Sequence, residues 1–183
     1  APQILIGYKI GVGNDPDQAA LQVLSSVLQG GDSSRLYQSI SKEKELVSSI
    51  GGYVEERIGT GGFYVIATVR PDQKPEVVEA AIYEEIARIV EEPIADWELQ
   101  KARNATRLGY LQSIRSAQNR ANILGRYTVL FKDPNLINTR LQKIDAVTRA
   151  DVQRVAKKYL IPTGRTVLTT LPAPATPATA PGP

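Results

Sequence analysis

Histidine and cysteine are both absent from the 183 residues, and this double absence removes most catalytic chemistries. Without them a chain has no thiol nucleophile, disulfide, histidine general base, Ser-His-Asp triad, haem ligand or zinc finger. What remains is carboxylate, Lys, Tyr or Ser chemistry, a hard cation held by oxygen ligands, or no catalysis. Cysteine-free chains suit the cytoplasm, a periplasm and the outside of the cell alike, so the compartment stays open.

Methionine and long apolar runs are missing as well. The longest mainly apolar run covers residues 63–69, far short of the roughly 20 residues of a membrane-spanning helix, so we expect no membrane span. The chain starts at Ala1 without a basic and apolar leader. This pattern indicates a processed or excised segment rather than a complete translation product.

The residues that are present predict one globular domain. Hydrophobic residues make up 42% and charged residues 22% of the chain, which is typical of a packed core with a polar surface. We expect a single domain over residues 1–172. Residues 173–183 form a Pro/Ala/Thr-rich tail, a composition that cannot build a core.

Apolar periodicity predicts the elements of this domain. Alternating or β-rich segments indicate strands at residues 3–11, 47–56, 61–70 and 164–171. Apolar residues three and four positions apart indicate helices from about residue 16 to Gly30, from 32 or 33 to about 45, and at 76–92, 96–131 and 148–160. Asp133-Pro134 is expected to start a further helix that carries Ile137, Leu141 and Ile144. The order lacks regular βαβ alternation. It therefore predicts an α+β fold with one mainly antiparallel sheet, covered on one face by helices. The helices at 76–92, 96–131 and 148–160 are expected to lay their apolar stripes against this sheet.

Charge is distributed unevenly along the helical half. Residues 76–98 hold eight acidic residues and one basic residue, whereas residues 99–132 hold seven basic residues and no acidic residue. Such a split could form an anion-binding face. We expect instead that these helices pack side by side, with their opposite charges facing one another across a solvated seam. Because no aromatic residues are interleaved in a basic stripe, nucleic-acid binding is not predicted.

Few residues stand out as candidates for chemistry. The glycine-rich pieces at 30–31 and 59–62 lack the P-loop ending and are interpreted as a helix stop and a hairpin turn. The close carboxylates Asp15/Asp17 and Glu55/Glu56 lie at a predicted cap and a turn, where neighbouring acids are commonly solvated. Trp97 and Tyr110 are interpreted as packing anchors.

Two segments carry a family resemblance. Residues 19–28, Ala-Ala-Leu-Gln-Val-Leu-Ser-Ser-Val-Leu, are followed at 30–38 by Gly-Gly-Asp-Ser-Ser-Arg-Leu-Tyr-Gln. Together they resemble the non-catalytic, C-terminal half-domain of the pitrilysin/insulinase and mitochondrial-processing-peptidase family of zinc peptidases. The segment 148–160 is similar to that family's closing helix before its last strand, and the match extends over about residues 3–172.

The resemblance implies a processing-peptidase-like half-domain that is no enzyme on its own. In this family the other half bears an inverted His-x-x-Glu-His zinc motif, so zinc is expected only in that partner half. The implied role is to shape a peptide-enclosing chamber while the His-bearing half, in the same polypeptide or in a separate subunit, performs hydrolysis. The resemblance also implies weak self-association of the isolated half. The alternative is a degenerate, non-peptidase scaffold or assembly subunit.

The resemblance also implies two substrate-facing positions. Active members commonly supply an Arg and a Tyr, seven residues apart, from the metal-free half. Alignment over residues 36–48 places this pair at Ser41 and Ser48, and a one-residue slip places it at Lys42 and Ser49. In neither register does this chain have an Arg and a Tyr at the aligned positions. We therefore expect this half to contribute less to the reaction than the metal-free half of an active member does.

Overall fold

The computed structural model describes residues 1–172, so the tail expected at 173–183 lies outside the described residues. In this described part of the chain, four strands form one antiparallel sheet in the order β2-β3-β1-β4. Their bounds are β1 Gln3–Ile10, β2 Val47–Glu55, β3 Gly61–Val69 and β4 Arg165–Thr170. The sheet predicted from the sequence is therefore confirmed, strand by strand.

The two faces of the sheet differ in burial. On β1 the alternating residues Ile4, Ile6, Tyr8 and Ile10 are buried, because side chains of a strand point to opposite faces in turn. Their partners on β3 are buried on the same face, and helices cover it. Leu168, on the uncovered face, is 57% exposed. This one-sided cover confirms the α+β class.

Within residues 1–172, six α-helices cover this face of the sheet in two layers. Helices α1 Gln18–Gln29, α2 Pro75–Glu91 and α6 Arg149–Tyr159 contact the sheet. The other three form an outer layer in which α3 packs on α1, α5 on both α3 and α1, and α4 on α5. Their bounds are α3 Asp96–Ser113, α4 Ala117–Phe131 and α5 Leu136–Ala146. None of the helices among the described residues is long and apolar enough to cross a membrane.

Several helix boundaries differ from the sequence-based expectations. The Asp15 side chain accepts a hydrogen bond from the Asp17 backbone N–H (2.8 Å) and so closes a turn before α1, which begins at Gln18. The predicted second helix is only a short π-helix, Tyr37–Glu43. The helix expected over 96–131 is interrupted, because the Ser116 hydroxyl caps a new helix by accepting from the Asn119 N–H (3.1 Å).

The predicted charged seam between residues 76–98 and 99–132 is wrong. Among residues 1–172 no ion pair joins these two segments, because α3 packs on α1 instead of α2. One of their ion pairs, between Glu85 and Arg88 (2.8 Å), stays within the first segment. Others reach different parts of the chain: Glu98 with Arg35 (2.7 Å), Glu84 with Lys44 (2.7 Å) and Arg107 with Asp145 (3.0 Å).

Asp17 is buried, contrary to the expectation that it is solvated. Its side chain is 7% exposed and accepts hydrogen bonds from Arg154 (2.6 Å), Lys158 (2.8 Å) and the Tyr159 hydroxyl (2.9 Å). Burial by itself would raise the pKa of Asp17, but these three donors outweigh burial and hold the pKa below its ordinary value. Through these hydrogen bonds the Asp17 carboxylate holds the N-terminus of α1 against α6.

Replacing Asp17 with Asn is expected to lower the free energy of unfolding at pH 7 by about 1–3 kcal/mol, because charge-assisted hydrogen bonds are lost. The lowered pKa means that the carboxylate stabilises the fold above about pH 4 and that this contribution is lost as pH falls through the folded-state pKa. Urea unfolding at neutral pH and at about pH 2 should therefore show a difference between the two proteins that shrinks in acid. A difference that is constant with pH would contradict this assignment.

Candidate functional site

An open cleft separates the outer helices from the exposed edge of the sheet. Its volume is about 530 Å³, within the range of ligand-binding pockets. Four elements form its walls: α1, β2, α3 and α5. The lining includes the following residues: Gln22, Ser25, Ser26, Gln29, Gly52, Gly109, Tyr110 and Arg140.

Helix α1 provides a polar wall on an otherwise apolar helix. Gln22, Ser25, Ser26 and Gln29 lie at positions i, i+3, i+4 and i+7 and share one side of the helix. The apolar residues between them are buried in the core. Sequence reasoning passed over these four positions, although polar residues repeating at helical spacing within a buried helix were a visible signal.

The floor of the cleft is formed where Gln29 meets β2. The Gln29 Nε2 donates to the backbone oxygen of Tyr64 (3.0 Å) and to Ser25 Oγ (3.0 Å). A Cβ atom at position 52 would overlap the Tyr64 carbonyl oxygen and the Gln29 side chain, so glycine is required there. Gln29 is 8% exposed, and its Oε1 accepts no hydrogen bond from any residue that the structure describes.

An ion pair and a tyrosine close the far end of the cleft. Arg140 binds Glu56 through two contacts, one of them 3.2 Å between Nη1 and Oε2. The side chains are only 18% and 10% exposed, so the expectation that Glu56 is solvated is wrong. The Tyr110 hydroxyl donates to the Ile137 carbonyl (2.7 Å), and burial raises the pKa of Tyr110 to about 12. Tyr110 therefore stays protonated and acts as a donor at neutral pH.

The donor set of the cleft does not fit a zinc ion. Gln22, Ser25 and Ser26 have the i, i+3, i+4 spacing of a His-x-x-Glu-His motif, but amide and hydroxyl groups are poor zinc ligands. Over residues 1–172 there is no group of three or more His, Cys, Asp or Glu side chains that could hold a metal ion. We therefore assign no metal-dependent step to this chain.

The two serines aligned with the Arg/Tyr pair lie outside the cleft. Ser41 is half-buried in the π-helix. Ser48 is exposed at a bulge in β2, where the register shifts between Val47 and Ser49, and its hydroxyl donates to the Thr68 carbonyl (3.3 Å). The structure thus places them at the end of one element and the start of the next. It does not bring them to Gln29 or Arg140.

The family follows from the N-terminal part of the chain. The family described as "Peptidase M16 inactive domain" matches residues 1–106, which is more than half of the sequence. The chain belongs to this family. The resemblance to a metal-free half-domain of zinc peptidases is therefore confirmed.

Curated relatives of this M16 inactive domain include zinc proteases and a processing peptidase subunit. An uncharacterized zinc protease of Streptomyces coelicolor is 28% identical over 161 residues, covering 86% of this chain and 34% of the relative. The alpha subunit of the mitochondrial-processing peptidase of Solanum tuberosum is 24% identical over 158 residues, covering 80% and 31%. The chain therefore spans about a third of the length of these relatives.

Solved structures show the same M16 inactive-domain fold. The inactive peptidase domain of a candidate zinc protease from Bordetella parapertussis superposes with a TM-score of 0.87 at 21% identity, covering 99% of this chain and 95% of that chain. A protease from Helicobacter pylori gives a TM-score of 0.86 at 24% identity, covering 93% and 41%. These two solved structures thus have the half-domain fold that is expected from the sequence.

Proposed function

We propose that this chain is the metal-free half of a zinc peptidase, in which it shapes a chamber around a peptide while a His-bearing half performs hydrolysis. The observation that carries this proposal is the cleft of an M16 inactive domain that lacks metal ligands. Gln22, Ser25 and Ser26 repeat the spacing of a zinc motif with side chains that cannot bind zinc well. Zinc, in this proposal, is held by the partner half alone.

Amide and hydroxyl groups suit a supporting role in peptide binding. Gln22, Ser26 and Tyr110 can exchange hydrogen bonds with a peptide backbone without taking part in proton transfer at neutral pH. The relatives are about three times as long as this chain, which is long enough to include a second half-domain. Both facts support an assembly in which one half holds the zinc and this half contributes to peptide binding.

The proposal is tested by reconstitution with a zinc-bearing M16 half-domain from the same genome, encoded in the same gene or in a neighbouring one. We expect a heterocomplex at micromolar concentration in analytical ultracentrifugation, and cleavage of a quenched fluorescent peptide only by the complex. This chain alone is expected to release no product. Failure of the two halves to associate, or cleavage by this chain alone, would contradict the proposal.

The same complex tests the positions Ser41 and Ser48. We propose that they face the substrate, where serine is too short to supply what an Arg and a Tyr would. Ser41→Arg combined with Ser48→Tyr should then raise the cleavage rate of the assembled complex. Lys42→Arg combined with Ser49→Tyr is the matched control, because it places the same two residues in the alternative alignment register. If neither pair changes turnover in a zinc-loaded complex, the substrate-facing placement is wrong.

A second candidate function is assembly without proteolysis. The human cytochrome b-c1 complex subunit 2 is 24% identical over 157 residues, covering 81% of this chain and 34% of the relative. The absence of the Arg/Tyr pair at Ser41 and Ser48 favours such a scaffold role. A stable heterocomplex that binds no zinc and cleaves no peptide would support this alternative over the peptidase.

A further inference from the structure

The three outer helices carry an excess of positive charge. Residues 99–146, which include most of α3 and all of α4 and α5, hold nine basic and two acidic residues, whereas the rest of the chain holds 13 basic and 17 acidic residues. The acidic helix α2 does not neutralise this charge, because α3 packs on α1 instead. The outer layer is therefore a basic surface on a chain that is acidic elsewhere.

Ion pairs within the chain neutralise little of this charge. The pairs of Arg107 and Arg140, described above, each remove one positive charge. Arg115 and Arg120 lie on either side of Ser116, where the chain turns from α3 into α4, and both are exposed. Neither forms an ion pair or a side-chain hydrogen bond with any residue that the structure describes. These two charges are therefore available to an anionic partner.

Exposed leucines lie beside the same turn. Leu108 and Leu111 are three positions apart on α3, so they are neighbours on one face, where they are 56% and 42% exposed. Leu124 lies one helical turn after Arg120 on α4 and is 38% exposed. Among the residues of α4, only Tyr127 is buried. Both helices thus present leucine to solvent next to the turn that carries the two unpaired arginines.

This combination favours an anionic lipid surface over other anions. A bilayer accepts both kinds of side chain, because its headgroups bind cations while the boundary with the acyl chains takes up leucine. The main clefts formed by residues 1–172 include neither Arg115 nor Arg120, so the turn offers no enclosed site for a small anion. Residues 111–126 contain no aromatic side chain on which a base could stack, which argues against nucleic acid.

We propose that the turn between α3 and α4, with the three leucines beside it, binds the surface of a bilayer that contains anionic lipid. Arg115 and Arg120 bind lipid phosphate groups, and the leucines enter the boundary between headgroups and acyl chains. Such a contact is peripheral and needs no membrane-spanning segment. None of these five residues lines the cleft between α1 and β2, so the proposal goes beyond the proposed function.

The test is co-sedimentation of this chain with vesicles of phosphatidylcholine that contain about 30% phosphatidylserine. We expect the bound fraction to rise with lipid concentration and to fall as salt is added. Vesicles of pure phosphatidylcholine should bind little of the chain. Equal binding to both kinds of vesicle would overturn the proposal. Binding of poly-glutamate without binding of the anionic vesicles would assign the surface to an acidic protein and would overturn it as well.

Two double variants test the role of the arginines. Arg115→Glu combined with Arg120→Glu should lower the partition coefficient about tenfold or more, because each basic residue near an anionic surface contributes to binding. Lys74→Glu combined with Lys157→Glu is the matched control, which changes the net charge equally at exposed positions outside the outer helices. The control should retain most of its binding. If both double variants lose binding equally, net charge alone determines the effect and the assigned surface is wrong.

A second pair of double variants tests the leucines. Leu108→Ser combined with Leu111→Ser should weaken binding about tenfold. The control is Leu168→Ser combined with Leu171→Ser, because these leucines are also three positions apart and are 57% and 66% exposed. The control should bind as the parent chain does. All four leucines are exposed, so both variants are expected to fold. Loss of binding by the control alone would place the contact on the open face of the sheet and overturn the proposal.

A single-tryptophan reporter measures insertion directly. Trp97 is the only tryptophan of the chain, so Leu111→Trp in a Trp97→Phe background places the reporter beside the turn. Its emission should shift to shorter wavelength with anionic vesicles, whereas Leu168→Trp in the same background should not respond. An unshifted Leu111→Trp reporter in a vesicle-bound sample would overturn the proposal. None of these measurements needs a zinc-bearing partner. A chain that fails to bind vesicles while the heterocomplex forms and cleaves would therefore reject this inference alone.

Discussion

Replacing Ile82 with alanine is expected to lower the free energy of unfolding by about 2–5 kcal/mol. Ile82 is completely buried, and α2 presents it to the core beside the sheet. Truncation removes the transfer free energy of the lost carbons and leaves a cavity that the rigid neighbours fill only partly. Urea unfolding followed by far-UV circular dichroism measures the change.

Val77→Ala on the same helix is the control for this substitution. Val77 is 47% exposed, so its truncation should change stability by no more than about 0.5 kcal/mol. A cost for Ile82→Ala as small as that of the control would show that α2 presents a different face to the sheet.

Replacing Glu56 with alanine should cost about 3–5 kcal/mol, because Arg140 is left as a buried and unpaired charge. The Glu56 carboxylate also accepts from Gln22 Nε2 (3.4 Å), so the change removes a contact to α1 as well. Glu84→Ala, which breaks the exposed pair with Lys44, should cost only about 0–1 kcal/mol. Both values come from the same unfolding measurement.

The combination of Glu56→Leu with Arg140→Met tests the cause of this loss. Apolar residues of similar volume remove both charges at once, so most of the lost stability should return. If the double variant is as unstable as Glu56→Ala, packing around the pair rather than the unpaired charge determines the effect. In that case the stability change of Glu84→Ala still gives the reference value for a solvent-exposed ion pair.

Local pattern was sufficient to predict the sheet, whereas the family was inferred from the resemblance of residues 19–28 and 30–38 to known half-domains. The alternation of Ile4, Ile6, Tyr8 and Ile10 is set by the two-residue period of a strand, and a buried face makes that alternation strict. The start of the helix predicted at 148–160 is local in the same way, because the structure shows both hydrogen bonds of a capping box between Thr148 and Asp151. Such features depend on residues that are near one another in the chain.

The site depended on contacts that local pattern does not contain. Glu56 and Arg140 are 84 positions apart, and the structure buries them together through the packing of α5. Asp17 meets Lys158 across 141 positions, which is why its burial was not foreseen. The prediction that α3 and α4 lie against the sheet failed for the same reason: periodicity identifies an apolar face but not the surface that covers it.

The central position of β1 has a consequence for folding kinetics. The first strand of the chain lies between β3 and β4, and Gln3 pairs with Thr170 at the other end of the domain. Closing so long a loop is entropically costly and slows folding. During synthesis, one edge of β1 stays unpaired until β4, at the far end of the described residues, has been made. A nascent chain that still lacks β4 therefore exposes an apolar strand edge, which favours aggregation until β4 pairs with it.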